Sequence, residues 1–399
     1  MDPFLAFLAT VIFVSLIIPR LGPFLSLIIS AIVFGLLVGM GVELQGYIST
    51  GLSRIFSSLA IVVFSGALLA EYLRSTESLD RIVADLRRLA DKSLAIGGAA
   101  GYLISLPVMC SITAYMILQP VVSGLAGKSS DSRKRALFMT AAGSIISFNL
   151  IYPSPVMITL SAGLEAAPRD LLMRGIPISL VLFALAYILM QYIFPEKAEC
   201  KEILNPPEMN RSRAWAPLLL PIAMILLGSL LPEKAHILAD PGIALLLGAM
   251  LSLALERKKM QELIHVASRR SGVILLDLCG AGAFGYVVAQ SGLSQEIFRL
   301  GHFLPALLLP FLLSALLQLA QGSRVVTATV ATQILAGYPL PAVTLALLIA
   351  SGAFMFSYVT DPFFWLIKSS TGSSMKQTVL GYTLPLSLLG LAAFALAAI

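Results

Sequence analysis

Apolar runs of about 20 residues recur along the whole chain, and this is the length that an α-helix needs to cross a bilayer. The runs are too long for the strands of a membrane barrel, and lipid admits only helices or closed barrels because every backbone hydrogen bond must be made within the protein. They therefore predict an all-α polytopic membrane protein. The candidate spans are residues 3–19, 22–42, 51–73, 134–163, 170–194, 214–231, 240–255, 272–290, 340–368 and 375–398.

The composition also favours a protein that works inside the bilayer. Hydrophobic residues make up 58% of the 399 residues and charged residues 12%, whereas soluble domains have about 25% charged residues. The longest polar stretches, residues 73–93 and 195–213, hold only about twenty residues each, too few for a core of their own. The basic residues lie in short loops between apolar runs, so the net charge of +6 does not indicate nucleic-acid binding.

Two apolar stretches, residues 94–127 and 303–337, carry small or polar residues at their centres, MCSIT at 109–113 and AQGSR at 320–324. Each stretch is long enough for two short helices that enter and leave the membrane by the same face. We interpret both as re-entrant hairpins. Two thin crossings in each stretch are the alternative, and they would leave the overall topology unchanged.

Two long spans are predicted to be broken helices. Residues 134–163 contain YPSP at 152–155, and residues 340–368 contain Asp361 before Pro362. Proline removes a helix hydrogen bond and disfavours helix at the preceding residue, so each site should unwind by about one turn. A simple kink is the alternative at each site.

The same features recur about 210 residues later, which indicates an internal repeat. The Gly-Ala pair at Gly66 recurs at Gly282, and the hairpin centres and the two breaks match in the same way. We divide the chain into a first repeat at 1–194, a cytoplasmic linker at 195–213 and a second repeat at 214–399. Five crossings in each half would insert the second copy from the opposite side, which is the inverted repeat of secondary transporters.

The distribution of basic residues orients these spans. Most of the 27 Lys and Arg residues fall in loops that this topology assigns to one face, and basic loops tend to face the cytoplasm. The chain is thus expected to be a multi-pass protein of the cell (inner) membrane with both termini outside. The first hairpin would enter from the cytoplasm and the second from outside.

Ionisable residues inside a bilayer are costly and are candidates for function. Arg324 lies at the centre of the second hairpin, and its guanidinium offers a planar fork of donors that suits a carboxylate. An ion pair with Asp361 or Asp277 is the alternative role for Arg324. Asp361 can cap the helix that restarts at Pro362, and Asp361 and Asp277 are both candidate proton-coupling residues, because a carboxylate in a low-dielectric cavity binds protons more readily.

Polar side chains cluster at the hairpin centres and the breaks, where helix N-termini would offer backbone donors to an anion. Each Ser or Thr alone is more often bonded to its own backbone, so the prediction rests on the cluster. The candidate substrate-binding residues are Ser111, Thr113, Asn149, Ser154, Gly322, Ser323, Arg324, Ser357 and Thr360.

No cofactor and no metal site is expected. Cys110, Cys200 and Cys279 are widely separated, and no pair of histidines has metal-ligand spacing. An intramembrane aspartyl hydrolase would need Asp277 and Asp361 to share a proton, but the Gly-x-Gly-Asp context is missing around both. A channel is a second alternative, and inverted hairpins favour alternating access over a continuous pore.

Five stretches match a known family: GPFLSLII at 22–29, GAGAFG at 280–285, AQGS at 320–323, FSYVTDPFFW at 356–365 and KQT at 376–378. With them the chain resembles, nearly end to end, the gluconate permease (GntP) family of the ion transporter superfamily. The stretch 356–365 is similar to the family's Ser-x-Val-Asn-Asp-x-Gly-Phe-Trp signature. The resemblance implies proton-coupled uptake of sugar acids or related hydroxy- and amino-carboxylates, by a homodimer whose hairpin-bearing domain moves as an elevator.

Four positions depart from the family pattern. The stretch FNLIYPSP at 148–155 lacks the family's histidines, and Ile112 stands where relatives have an acidic residue. Arg324 replaces a small residue and Asp277 an apolar one, so we expect the two to compensate, either as a pair or as relocated anion and proton sites. These departures favour an anionic or amphoteric solute other than gluconate. Motifs for sodium sites are absent or degenerate, which favours the proton as coupling ion and leaves sodium open.

Overall fold

The computed structural model describes residues 2–88, 92–126, 130–194, 208–228, 237, 240–301, 304–358 and 360–399. Within these ranges the regular structure is entirely helical, as predicted. In the described part of the chain, five helical segments are long and apolar enough to cross a membrane, and the count of about ten spans stays a prediction. These segments are Glu43–Ser75, Ser130–Leu164, Pro168–Ile193, Arg257–Gln290 and Met375–Ala397.

Helices make up most of the described residues in both halves of the chain. Those of the first half are α1 (Pro3–Leu21), α2 (Pro23–Leu37), α3 (Glu43–Ser75), α4 (Ser78–Arg87), α5 (Ser93–Val108), α6 (Ser111–Leu125), α7 (Ser130–Leu150), α8 (Pro155–Leu164) and α9 (Pro168–Ile193). Those of the second half are α10 (Arg211–Gly228), α11 (Pro241–Leu255), α12 (Met260–Gln290), α13 (Leu293–Gly301), α14 (Leu308–Gln321), α15 (Arg324–Ile334), α16 (Ala342–Gly352), α17 (Pro362–Thr371), α18 (Met375–Thr378) and α19 (Leu384–Ala397). Most of the predicted linker, residues 195–207, lies outside the described residues.

Several helices extend beyond the predicted apolar spans. Helix α3 begins at Glu43 and α12 at Met260, well before the predicted spans 51–73 and 272–290, because a helix continues beyond the apolar part that crosses lipid. The stretch 73–93, predicted only as a polar connector, contains α4, which buries Leu79, Ile82, Val83 and Leu86. This spacing places all four on one helix face.

Helices α3 and α12 form the central pair of the fold, one from each half. Their backbones meet at Gly51 and Gly282, where a Cβ on Gly51 would lie 2.7 Å from the Cα of Ala283. Arg270 Nη1 on α12 donates to Glu71 Oε2 on α3 at 2.9 Å. Helix α2 packs on α12 and α11 packs on α3, so each half supports the long helix of the other.

Each half also contains a helix pair that packs along an interrupted helix. Helices α5 and α6 pack together, and Ser105 Oγ of α5 donates to the Ser144 carbonyl oxygen of α7 at 2.8 Å. In the second half α14 and α15 pack together, and Ser314 Oγ of α14 donates to the Ile349 carbonyl oxygen of α16 at 2.6 Å. The same kind of contact thus joins corresponding elements of the two halves.

Candidate functional site

The connection between α14 and α15 is a tight tip formed by Gly322 and Ser323. Gly322 has a φ of 74°, which a glycine adopts without strain. Ser323 caps α15, since its Oγ accepts from the Val326 N–H. The Gln321 side chain holds the tip closed: its Nε2 donates to the Ser323 carbonyl at 2.9 Å, and its Oε1 accepts from the Ser323 N–H at 2.9 Å.

The connection between α5 and α6 has the same construction from different residues. Met109 takes the left-handed conformation with a φ of 55°, and the Cys110 side chain caps α6 by accepting from the Thr113 N–H. This tip rests on α3 at Gly66, where a Cβ would lie 2.7 Å from the Met109 Cβ. A glycine at position 66 is therefore what allows the tip to approach the central pair.

Both interrupted helices restart at a proline preceded by a capping side chain. Ser154 Oγ accepts from the Met157 N–H at 3.2 Å before α8, and Asp361 Oδ1 accepts from the Phe363 N–H at 2.8 Å before α17. The tip at Gly322 lies directly on the second break, because a Cβ at residue 322 would lie 2.6 Å from the Asp361 Cα.

Arg324 is held in a buried polar cluster at this contact. Its Nη2 donates to Ser357 Oγ at 2.7 Å and approaches Asp361 Oδ2 at 3.4 Å and the Tyr382 hydroxyl at 3.4 Å. The Tyr382 hydroxyl donates to Asp361 Oδ2 at 2.8 Å. Arg324 is 5% exposed and Asp361 1% exposed. Arg324 Nε is buried and has no hydrogen-bond partner among the described residues.

A cavity of about 220 Å³ lies where the two tips and the two breaks meet. Helices α2, α3 and α12 complete its wall. Its lining includes Pro23, Leu27, Val63, Cys110, Ser111, Ile112, Phe148, Pro155, Ile274, Asp277, Gln321, Gly322, Ser323, Arg324, Asp361 and Pro362.

Four of the lining residues are the first residues of helices. They are Ser111 of α6, Pro155 of α8, Arg324 of α15 and Pro362 of α17. The N-terminus of a helix carries a partial positive charge from its free N–H groups. Four such ends at one cavity, together with a guanidinium, make it suited to an anion.

A comparison with known protein families shows to which of them this chain belongs. The sequence pattern described as GntP family permease matches residues 3–399. The chain belongs to the GntP permease family. Its named GntP relatives are permeases and transporters rather than enzymes, so the alternative of an intramembrane aspartyl hydrolase is wrong.

The GntP relatives cover nearly the whole chain. The low-affinity gluconate transporter of Escherichia coli (strain K12) is 23% identical over 412 residues, which are 93% of this chain and 91% of the relative. The D-serine transporter DsdX of the same strain is 23% identical over 407 residues, 91% of this chain and 90% of the relative. The solved structure of the Alcanivorax borkumensis YdaH transporter, 16% identical, has the same fold, with a TM-score of 0.59, covering 89% of this chain and 86% of that one.

The structure brings six of the predicted site residues of this GntP permease to the cavity: Ser111, Gly322, Ser323, Arg324, Asp361 and Asp277. Thr113, Asn149, Ser154, Ser357 and Thr360 are not part of its lining. Asn149 is buried and its Nδ2 donates to the Ala350 carbonyl at 2.6 Å, and Thr360 Oγ1 donates to the Leu319 carbonyl at 2.8 Å. These two therefore join the interrupted helices to their neighbours, and substrate contact by any of the eleven stays a prediction.

The structure also resolves which carboxylate pairs with Arg324. The pair is Asp361, and Asp277 instead accepts a hydrogen bond from the Phe24 N–H at 3.1 Å. Of the two predicted ion-pair alternatives, the structure contains Arg324–Asp361 and not Arg324–Asp277, because the tip of the second hairpin packs on the second break rather than on α12 at Asp277.

Two residues of the site were missed in the sequence. Tyr382 lies in the π-helical segment Val379–Thr383 of the last span, where a single tyrosine among apolar residues gives no signal. Gln321 could have been predicted from the sequence, because it is an uncharged polar residue next to the tip glycine, Gly322. Its amide is bonded to Ser323 and Thr327, so it shapes the cavity wall.

Proposed function

We propose that this GntP permease is a secondary active transporter that carries a small organic carboxylate together with protons. The observation that supports this most strongly is the convergence of four helix N-termini and the Arg324 guanidinium on one cavity. Among the described lining residues Arg324 is the only cation. A carboxylate there would accept hydrogen bonds from backbone N–H groups and from the guanidinium edge that Asp361 leaves free.

The size of the cavity favours a small substrate. Its volume of about 220 Å³ is below the roughly 300–1,000 Å³ of pockets for drug-sized ligands. The named relatives transport gluconate and D-serine, which are both small carboxylates. Ser111 and Ser323 at the two tips would contact the polar groups of such a molecule.

Proton coupling follows from competition for Arg324. While Asp361 is ionised, it holds the guanidinium through Oδ2. A proton on Asp361 would remove this charge, and the substrate carboxylate would then take its place beside Arg324. Asp277 is the second carboxylate of the cavity that could carry a proton. This mechanism needs no cofactor, and sodium is the alternative coupling ion.

We propose that the two halves form an inverted repeat with alternating access. The exchanged packing of α2 on α12 and of α11 on α3 supports it, as do the matching Ser105 and Ser314 contacts. In this arrangement α5–α6 and α14–α15 are re-entrant hairpins from opposite faces, both termini lie outside, and the linker 195–213 is cytoplasmic. In this proposal the first repeat comprises residues 1–194 and the second residues 214–399.

Elevator motion in a homodimer completes the proposal. A second, apolar cavity of about 270 Å³ separates the first tip and first break from α10 and α11. Its wall includes Met109 and Tyr152 on one side and Pro221 and Leu245 on the other. Two groups of elements with space and apolar surface between them can slide past each other without breaking polar contacts.

Uptake into proteoliposomes under an imposed pH gradient tests the function. With labelled gluconate and serine as probes, an outside-acid gradient of one pH unit should drive about tenfold accumulation of the transported probe at one proton per molecule. The Asp361→Asn variant should still exchange substrate but should no longer respond to the gradient. Uptake that stops when the inside and outside concentrations of the probe are equal would indicate a channel. Accumulation driven by a sodium gradient alone would show that sodium, and not the proton, is the coupling ion.

A further inference from the structure

Asp277 has an unused oxygen at the cavity wall. Its Oδ1 accepts from the Phe24 N–H at 3.1 Å and thereby caps α2, whose own N-cap residue, Gly22, has no side chain to do so. The structure shows no hydrogen bond to Oδ2, and no cation in the described part of the chain lies within ion-pair distance of this carboxylate.

Asp361 differs from Asp277 in this respect. Its Oδ1 accepts from the Phe363 N–H, and its Oδ2 accepts from the Tyr382 hydroxyl and lies 3.4 Å from Arg324 Nη2. Both oxygens of Asp361 are therefore occupied by protein groups, and Asp277 is the carboxylate of the cavity that is open to a ligand.

The charges of the cavity do not balance in the absence of substrate. Arg324 and Asp361 neutralise each other, which leaves the negative charge of Asp277 facing the same space. A second carboxylate entering this space would be repelled by Asp277, because like charges repel each other more strongly inside a protein than in bulk water. A molecule that carries an ammonium group as well as a carboxylate would supply the missing positive charge.

We infer that the substrate is an amino carboxylate, whose ammonium group pairs with Asp277 while its carboxylate pairs with Arg324 and the helix N-termini. The inference rests on the proposed function and narrows its substrate class. It assigns Asp277 to substrate recognition and leaves Asp361 as the carrier of the coupling proton. An anionic hydroxy acid of the same size would lack the partner that Asp277 requires.

Matched ligand pairs test this inference on the purified full-length protein. Serine and glycerate differ in an amino or a hydroxyl group at C2, and so do 2-amino-2-deoxygluconate and gluconate. Ethanolamine carries the ammonium group without the carboxylate. Ligand-dependent thermal stabilisation gives an apparent Kd for each probe without a labelled substrate. The amino member of at least one pair should bind at least about tenfold more tightly than its hydroxy partner, and ethanolamine should not stabilise the protein.

The Asp277→Asn variant should remove this preference. An amide oxygen can still accept from the Phe24 N–H, so the cap of α2 is retained while the negative charge is lost. The amino member should lose about tenfold or more in affinity, and the hydroxy member should bind as well as before or better. Glu262→Gln is the matched control, since it removes a charge from an exposed position on the same helix and should leave both affinities unchanged.

Each outcome separates the inference from the proposed function. Equal stabilisation by both members of each pair, or an amino preference that survives in Asp277→Asn, overturns the inference and leaves the carboxylate site standing. No stabilisation of the wild-type protein by any of the four carboxylates contradicts both. If Asp277→Asn does not fold, Asp277→Ser offers a smaller acceptor at the same position and should show the same loss of amino preference.

Discussion

Replacing Arg324 with glutamine is expected to lower carboxylate uptake by about 100-fold or more, because the substrate loses a charged hydrogen-bonding partner that is buried in the protein. Arg324→Lys should retain part of the activity, since lysine keeps the charge but not the planar fork of donors. Initial rates of uptake into proteoliposomes, with protein content matched, measure both effects. Uptake by Arg324→Gln at the wild-type rate would remove Arg324 from the substrate site.

The stability of the same variants separates binding from folding. Losing one partner of a buried ion pair costs about 3–5 kcal/mol, whereas neutralising both can cost little. Arg324→Gln should therefore lower the thermal unfolding temperature, and Arg324→Gln with Asp361→Asn should recover much of the loss without recovering uptake. Lys368→Gln is the control: it removes one cation from α17 at a site 6.0 Å from the Trp365 ring and outside the cavity lining.

Replacing Gly322 with alanine is expected to reduce uptake by about 100-fold, because displacing a site by an ångström has effects of that size. The left-handed φ of 74° strains any side chain, and the new Cβ would meet the backbone of Thr360 and Asp361. The tip would move off the second break and take Arg324 with it. Uptake rate and unfolding temperature both report this change.

The Gly337→Ala variant shows how much of the Gly322→Ala effect comes from backbone strain alone and how much from the steric clash. Gly337 has a φ of 80° but no atom within 4 Å of a built Cβ, so its alanine variant meets only the conformational cost of about 1–3 kcal/mol. We expect Gly337→Ala to be destabilised and still active. Equal loss of activity in the two variants would contradict the close contact of the tip with the second break.

The repeated sequence features predicted which segments form the site, but not which side chains contact each other within it. The polar centres of residues 94–127 and 303–337 and the proline breaks indicated four points that should meet, and six of the eleven candidate residues line the cavity. Hydropathy could not show which carboxylate Arg324 would reach, because that depends on how the tip of the second hairpin packs. Tyr382 follows Asp361 by 21 residues and lies beyond the next helix, α17, and only the folded structure shows that its hydroxyl turns back to Asp361.

The helices outside the apolar spans were harder to predict for a related reason. Hydropathy detects the part of a helix that lies in lipid, so the polar beginnings of α3 and α12 and the whole of α4 gave no span signal. The apolar positions of α4 are spaced for one buried face, which a periodicity search of the connector would have detected.

Protection of Cys110 from alkylation tests most directly whether this cavity is the substrate site. Cys110 lies at the first tip in the cavity lining and is partly exposed, whereas Cys279 is buried. The test uses the Cys200→Ser, Cys279→Ser variant and whichever of serine, glycerate, 2-amino-2-deoxygluconate and gluconate stabilises the protein most. At about 100 times its Kd this ligand fills nearly every cavity, so it should slow alkylation of Cys110 at least tenfold. An unchanged rate of alkylation, in protein that transports the same carboxylate, would place the substrate elsewhere.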